Sequence, residues 1–210
     1  MTERLKEIGI VPVVVINEAD KAEKLAEALT EGGLPCAEVT FRTECAAEAI
    51  RIMKKAYPDM LVGAGTILST EQAEEAIRAG ASFIVSPGLN PAVVRYALDR
   101  GIPFIPGVCT PSEVEMGMSF GLTTLKFFPA EAYGGIRTLK ALHSPYRQIS
   151  FMPTGGISVV NARDYLRTEN VAFIGGSWMV KEDWISMGKF DHIREKCMEA
   201  KEIVEEVRNG

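Results

Sequence analysis

Short apolar runs alternate with charge-rich, helix-periodic runs through almost the whole chain. The apolar runs are IVPVVVI (10–16), CAEVTF (36–41), MLVGAGT (60–66), SFIVSP (82–87), PFIPGV (103–108), TTLKFFP (123–129), ISFMPTG (149–155) and VAFIGGS (171–177). Between them lie segments such as EADKAEKLAEALTEG and STEQAEEAIRAG, whose apolar residues recur at helical spacing. In the second of these, Ser69 with Gln72 three residues on forms a capping-box pattern that predicts a helix start. Gly80, Gly101 and Gly121 each close a helix-like run just before a strand, where a left-handed residue ends a helix. Near-continuous apolar strands joined by helices predict a parallel sheet covered by helices.

Eight such units predict closure into an α/β (β/α)₈ TIM barrel. The competing layout, an open doubly wound sheet, calls for a glycine-rich turn after the first strand. Here that turn reads Asn17-Glu18-Ala19-Asp20, with no glycine. MTERLKEIG predicts a short N-terminal helix across the bottom of the barrel, and FDHIREKCMEAKEIVEEVRNG, from about Lys189, a C-terminal closing helix. No linker or low-complexity tract divides the chain, so 1–210 reads as one domain.

Composition narrows the function classes. The net charge of −5 argues against a general nucleic-acid-binding surface. No run approaches the roughly 20 apolar residues that span a bilayer, and the N-terminus lacks the apolar stretch of a signal peptide. Cys36, Cys45, Cys109 and Cys197 form no C-x-x-C or zinc spacing, which reads as reduced thiols in a cytoplasmic protein. His143 and His192 have no ligand-like neighbours, so no metal centre is expected.

Polar residues near the C-terminal ends of barrel strands are informative, because barrel active sites lie there. Lys126 stands inside TTLKFFP, between Leu125 and Phe127. Burial penalises an ammonium and favours the free amine, which is the nucleophile that Schiff-base chemistry needs. A lysine that snorkels out, or that pairs with a carboxylate for structure, would give the same pattern. In CAEVTFRT, strand alternation puts Glu38, Thr40 and Arg42 on one face. If that face is inward, the strand offers a proton-transfer carboxylate and a guanidinium that can grip a carboxylate; the alternative is an internal ion pair without chemistry.

Thr66 closes VGAGT, where Gly63 and Gly65 permit close approach, and Pro87 and Pro106-Gly107 end strands with rigid turns. Two glycine pairs, Gly155-Gly156 after Thr154 and Gly175-Gly176 before Ser177, occupy the last two strand ends, where this fold commonly cradles phosphate. A helix run from Ser158 would add a favourable dipole.

Seven ordered blocks carry a family resemblance: EVTFRT (38–43), GAGT (63–66), FIVSPG (83–88), PGVCTPSE (106–113), LKFFPAE (125–131), PTGGI (153–157) and IGGSW (174–178). The chain resembles the 2-keto-3-deoxy-6-phosphogluconate (KDPG) and 4-hydroxy-2-oxoglutarate (KHG) aldolases over about residues 10–180. The resemblance implies a class I aldolase with Lys126 as Schiff-base lysine and Glu38 as general acid/base. Arg42 and Thr66 would hold the pyruvate carboxylate, and Pro87 and Phe128 would pack on the pyruvyl unit. Gly155, Gly156, Gly176 and Ser177 would bind the distal phosphate, with Thr154 beside them.

The implied substrate is a phosphorylated 2-keto-3-deoxy sugar acid that yields pyruvate, with no cofactor beyond the covalent Schiff base, in a homotrimer. The alternatives are a 6-phosphogalactonate-type aldolase and a phosphosugar-binding barrel without lyase activity.

Overall fold

Strand β1 (Ile10–Val14) opens a ring of parallel strands, in a computed structural model that describes residues 1–210. There follow β2 (Cys36–Thr40), β3 (Leu61–Gly65), β4 (Phe83–Val85), β5 (Phe104–Ile105), β6 (Gly107–Val108), β7 (Thr124–Phe127), β8 (Ser150–Pro153) and β9 (Ile174–Gly176). The helices are α1 (Thr2–Ile8), α2 (Ala22–Glu31), α3 (Ala46–Ala56), α4 (Thr70–Arg78), α5 (Pro91–Asp99), α6 (Pro111–Ser119), α7 (Gly135–His143), α8 (Ala162–Leu166), α9 (Glu182–Ser186) and α10 (Phe190–Asn209).

The strands form two sheets, ordered β5-β4-β3-β2-β1-β9 and β6-β7-β8. Two links close them into a (β/α)₈ barrel. Pro106, which has no N–H to give a ladder, divides the fifth apolar run into β5 and β6, so that one chain segment joins both sheets. On the opposite side, bridges Phe151↔Val171 and Thr154↔Gly175 join β8 to the β9 segment. The expected single fifth strand is thus two short ones.

The helices follow their local signals. In α4 the Ser69 hydroxyl accepts from Gln72 N at 3.3 Å, while Gln72 Oε1 accepts from Leu68 N at 2.7 Å. Its small residues Ala73 and Ala76 are buried, and Gly80, at φ 89°, reverses the chain beyond it. Helix α6 carries a full capping box, Thr110 with Glu113, that the sequence reading passed over. Helix α1 lies across the bottom as expected: Leu5 and Ile8 are buried, and Thr2, Glu3 and Lys6 line a depression with Thr123, Thr124 and Ser150. In α10, buried Ile193, Cys197, Ala200 and Val204 form one stripe, which packs against α2 and α8.

One helix expectation fails. The segment from Ser158 is a turn, and α8 begins only at Ala162 and lasts five residues. The Asn161 side chain forms that turn, accepting from Ser158 N at 2.9 Å and donating to Gly156 O at 3.1 Å. Asparagine favours such local bonding over helix.

Candidate active site

Lys126 lies on β7 and Glu38 on β2. Going round the barrel, β3, β4 and the β5/β6 strand separate them on one side, and β1, β9 and β8 on the other. The two side chains therefore cross the lumen from opposite walls. Lys126 Nζ reaches Glu38 Oε1 at 3.0 Å, with the residues 5% and 1% exposed. The second Glu38 oxygen is buried and has no hydrogen-bond partner. The Phe128 ring centroid lies 5.2 Å from the lysine nitrogen.

Room for this pair is made on β3. A Cβ on Gly65 would come 2.4 Å from Glu38 Oε1 and 2.8 Å from its carboxyl carbon. Gly63 gives similar room to the Phe83 ring.

A cleft of about 180 Å³ opens at the C-terminal ends of the strands; Lys126 and Glu38 do not line it, and Phe128, two residues beyond Lys126, does. Arg42, Phe128, Thr154, Gly155, Gly156, Gly176 and Ser177 all line it. Gly175, the first member of the second glycine pair, lines it as well, and so do Val13, Val15 and Ile157, to which the sequence assigned no role; for the valines the alternation Val11, Val13, Val15 was the available signal.

Arg42 is exposed at the rim and also borders a neighbouring depression with Thr43, Glu44 and Gln72. Its placement corrects an expectation. Strand β2 ends at Thr40, whose hydroxyl donates to Val14 O at 2.9 Å, so a turn and not strand alternation carries Arg42 to the mouth.

Thr66 and Pro87 do not line the cleft. Thr66 follows β3 directly and Pro87 comes two residues after the end of β4, on the side of the mouth nearer α4 and α5. Thr66 is the one non-glycine residue with positive φ, at 59°. Such a backbone is sparsely populated and costs about 1–3 kcal/mol. Pro87 O sits where a Cβ on Gly107 would be, 2.0 Å away, so β4 and β6 close tightly beneath it.

The glycine pair after β8 has no helix directly behind it and leaves backbone N–H groups open. The carbonyls of Gly155 and Gly156 are taken, by Glu131 N at 3.1 Å and Asn161 Nδ2 at 3.1 Å. The N–H groups of Gly155, Gly156 and Ser177 donate to no protein acceptor. Free N–H groups at the end of a barrel strand attract an anion. Beside them the Thr154 hydroxyl oxygen is buried without a partner. Four buried side-chain polar atoms in the molecule lack one: those of Glu38 and Thr154 belong to this site, and those of Thr30 and His143 lie elsewhere.

No group of three or more His, Cys, Asp or Glu side chains could hold a metal ion. Neither histidine lines the cleft: His143 lies 3.5 Å from Glu169 at the barrel bottom, and His192 packs edge-on to Trp184. A buried amine beside a carboxylate, close to a cleft with an arginine at one side and open N–H groups at the other, can form an imine with a keto acid that carries a distal anion.

Comparison with known proteins agrees with this chemistry. The family model described as KDPG and KHG aldolase matches residues 1–196. A 2-dehydro-3-deoxy-phosphogluconate aldolase of Haemophilus influenzae is 45% identical over 202 residues, covering 96% of this chain and 95% of the relative. A KHG/KDPG aldolase of Escherichia coli K12 is 47% identical over 193 residues, covering 92% and 91%. Among solved structures, the KDPG aldolase of Legionella pneumophila, with pyruvate captured as a covalent carbinolamine intermediate, superposes with a TM-score of 0.91 at 41% identity, covering 94% of this chain and 97% of that one. The chain belongs to the KDPG and KHG aldolase family.

Proposed function

We propose that Lys126 forms the Schiff base of a class I aldolase that cleaves 2-dehydro-3-deoxy-6-phosphogluconate to pyruvate and glyceraldehyde 3-phosphate. The observation that carries this reading is the buried Lys126–Glu38 contact of 3.0 Å close to the cleft. Glu38 takes a proton from the Lys126 ammonium, and the free amine adds to the C2 ketone. The Glu38 carboxyl returns its proton to the C2 hydroxyl, which leaves as water and gives a protonated imine. Glu38 then removes the C4 hydroxyl proton. The C3–C4 bond breaks, its electrons pass into the imine, and glyceraldehyde 3-phosphate departs. The resulting enamine takes the proton from Glu38 at C3, and water hydrolyses the imine to release pyruvate and the lysine.

Arg42 and Thr66 hold the pyruvate carboxylate in this reading, and Pro87 and Phe128 flank the pyruvyl unit. The open N–H groups of Gly155, Gly156 and Ser177, with Gly176 and Thr154, receive the phosphate. The imine is the electron sink, so the proposal needs no added cofactor, and chelation should leave the rate unchanged. The E. coli relative is named for both substrates, and this favours a second activity on 4-hydroxy-2-oxoglutarate. The relatives at 45% and 47% identity carry gluconate-type or dual names, which favours the gluconate over the galactonate isomer. The four cysteines are free thiols, in keeping with a cytoplasmic home, and the assembly we propose is a homotrimer, checked by light scattering.

Borohydride added to the protein with pyruvate should leave a reduced three-carbon adduct on the peptide containing Lys126, and Lys126→Ala should abolish both adduct and cleavage. An unmodified Lys126, or normal turnover in that variant, would reject the assignment.

A further inference from the structure

Behind the Gly155–Gly156 loop lies a side-chain pair that the reaction above does not use. Tyr165, on α8, is fully buried, and its hydroxyl donates to Glu131 Oε1. Burial, and then the Glu131 bond, push the phenol above its ordinary range, so it stays a donor. Glu131 begins the short 3-10 turn Glu131–Tyr133 that follows Pro129 and Ala130.

This segment backs the loop closely. Ala130 N donates to Thr154 O at 2.8 Å and Glu131 N to Gly155 O at 3.1 Å. A Cβ on Gly156 would lie 2.5 Å from Glu131 Cγ. Gly156 has φ 79° and Gly155 φ 98°, a left-handed backbone that glycine adopts readily, and the Glu131 stem packs directly against it. Gly135 completes the arrangement: a Cβ there would lie 2.8 Å from Tyr165 Oη and 2.9 Å from Glu131 Oε1.

We infer that Tyr165 and Glu131 are positioning residues for the distal-phosphate loop: the phenol clamps the carboxylate, whose stem fixes the Gly155–Gly156 backbone. This rests on the reading that the loop receives the substrate phosphate. Neither side chain lines the cleft, so their effect on catalysis runs through the loop alone. The negative charge is not what the loop uses; the acceptor oxygen and the aliphatic stem are. The consequence is specificity: the clamp matters for a substrate that bears a phosphate and not for one that lacks it.

The test compares KDPG with 2-keto-3-deoxygluconate, the same acid without phosphate, in the full protein. Tyr165→Phe and Glu131→Ala should raise KM for KDPG by about tenfold, with kcat changed less. Glu131→Gln, which keeps both acceptor and stem, should restore the KM. Turnover of the dephosphorylated acid and the borohydride-trapped pyruvate adduct should stay within about twofold in all three. Glu131 is exposed, so its variant tests the idea even if Tyr165→Phe folds poorly. Equal losses on both substrates, or an unchanged KM for KDPG, would overturn the clamp while the wild-type preference for phosphate stands. A wild-type enzyme that shows no preference for the phosphorylated acid would overturn the phosphate-loop reading and the clamp with it.

Discussion

Lys126 and Glu38 meet across the full width of the barrel, nitrogen to oxygen at 3.0 Å, from walls that are as far apart round the ring as two strands can be. A buried charge pair of this kind is poor at stabilising a fold but costly to break on one side, since the survivor is left uncompensated. Lys126→Met and Glu38→Leu should each lower the unfolding free energy by about 3 kcal/mol. Lys126→Met combined with Glu38→Leu should cost less than either alone. Urea denaturation of the four proteins measures this coupling, and simple additivity would show that the contact carries no energetic weight.

Gly65→Ala should act on chemistry more than on binding. The added methyl would occupy the space of the Glu38 carboxyl. Displacing a general acid/base forfeits about 10²–10⁴ in rate. We expect kcat to fall at least about a hundredfold, with a smaller change in KM. Steady-state kinetics beside a thermal melt would separate this from unfolding, and an unimpaired kcat would mean that Glu38 can work from another position.

The cap of α6 should fail in acid. Burial opposes ionisation of Glu113, but bonds from Cys109 N at 2.8 Å, Thr110 N at 2.9 Å and the Thr110 hydroxyl at 2.9 Å outweigh it and hold the carboxyl below its usual range. Its folded pKa is depressed, so its contribution is complete above the unfolded value of 4.5 and is lost as pH falls through the folded one. Glu113→Gln should cost about 1 kcal/mol near neutrality. The gap between variant and wild type should narrow as pH falls below 4.5 and through the lower folded value, because the wild-type carboxylate then takes up its proton. Denaturation curves recorded from neutrality down into acid decide it; a constant difference would mean that shape, not charge, makes the cap.

Thiol labelling should divide the four cysteines. Cys36 and Cys197 are fully buried; burial pushes the Cys36 thiol up and the Cys197 thiol up to about 12. Cys45 and Cys109 are half-buried, and Cys109 is held up by burial and by Glu113. Alkylation of the native protein at neutral pH should reach only Cys45 and Cys109, slowly, and all four in denaturant. Peptide mapping that found Cys197 modified at the rate of a free thiol would show that α10 lifts away from α2.

Much of this architecture was written in simple periodicities. Eight apolar runs gave the barrel because each strand must be apolar on both faces, and Ser69, Gly80 and the terminal runs marked helix ends that the structure has. The site was legible where a residue violated its background, as Lys126 does inside TTLKFFP. What could not be read was placement that depends on partners distant in sequence. The turn that carries Arg42 and the fit of Glu38 over Gly65 are settled by neighbouring strands, whereas the separation of β5 from β6 has its cause in Pro106 itself. The absent helix at Ser158 had a local cause, Asn161, whose side chain competes with helical bonding three residues away.

The break at Pro106 and the thin bridging between β8 and β9 leave the barrel wall with two joints. One panel holds Lys126 and the Thr154–Gly156 loop; the other holds Glu38, Thr66 and Gly176. The amine and its proton partner thus ride on separate plates, so any shear between the panels would change the gap where bonds are made.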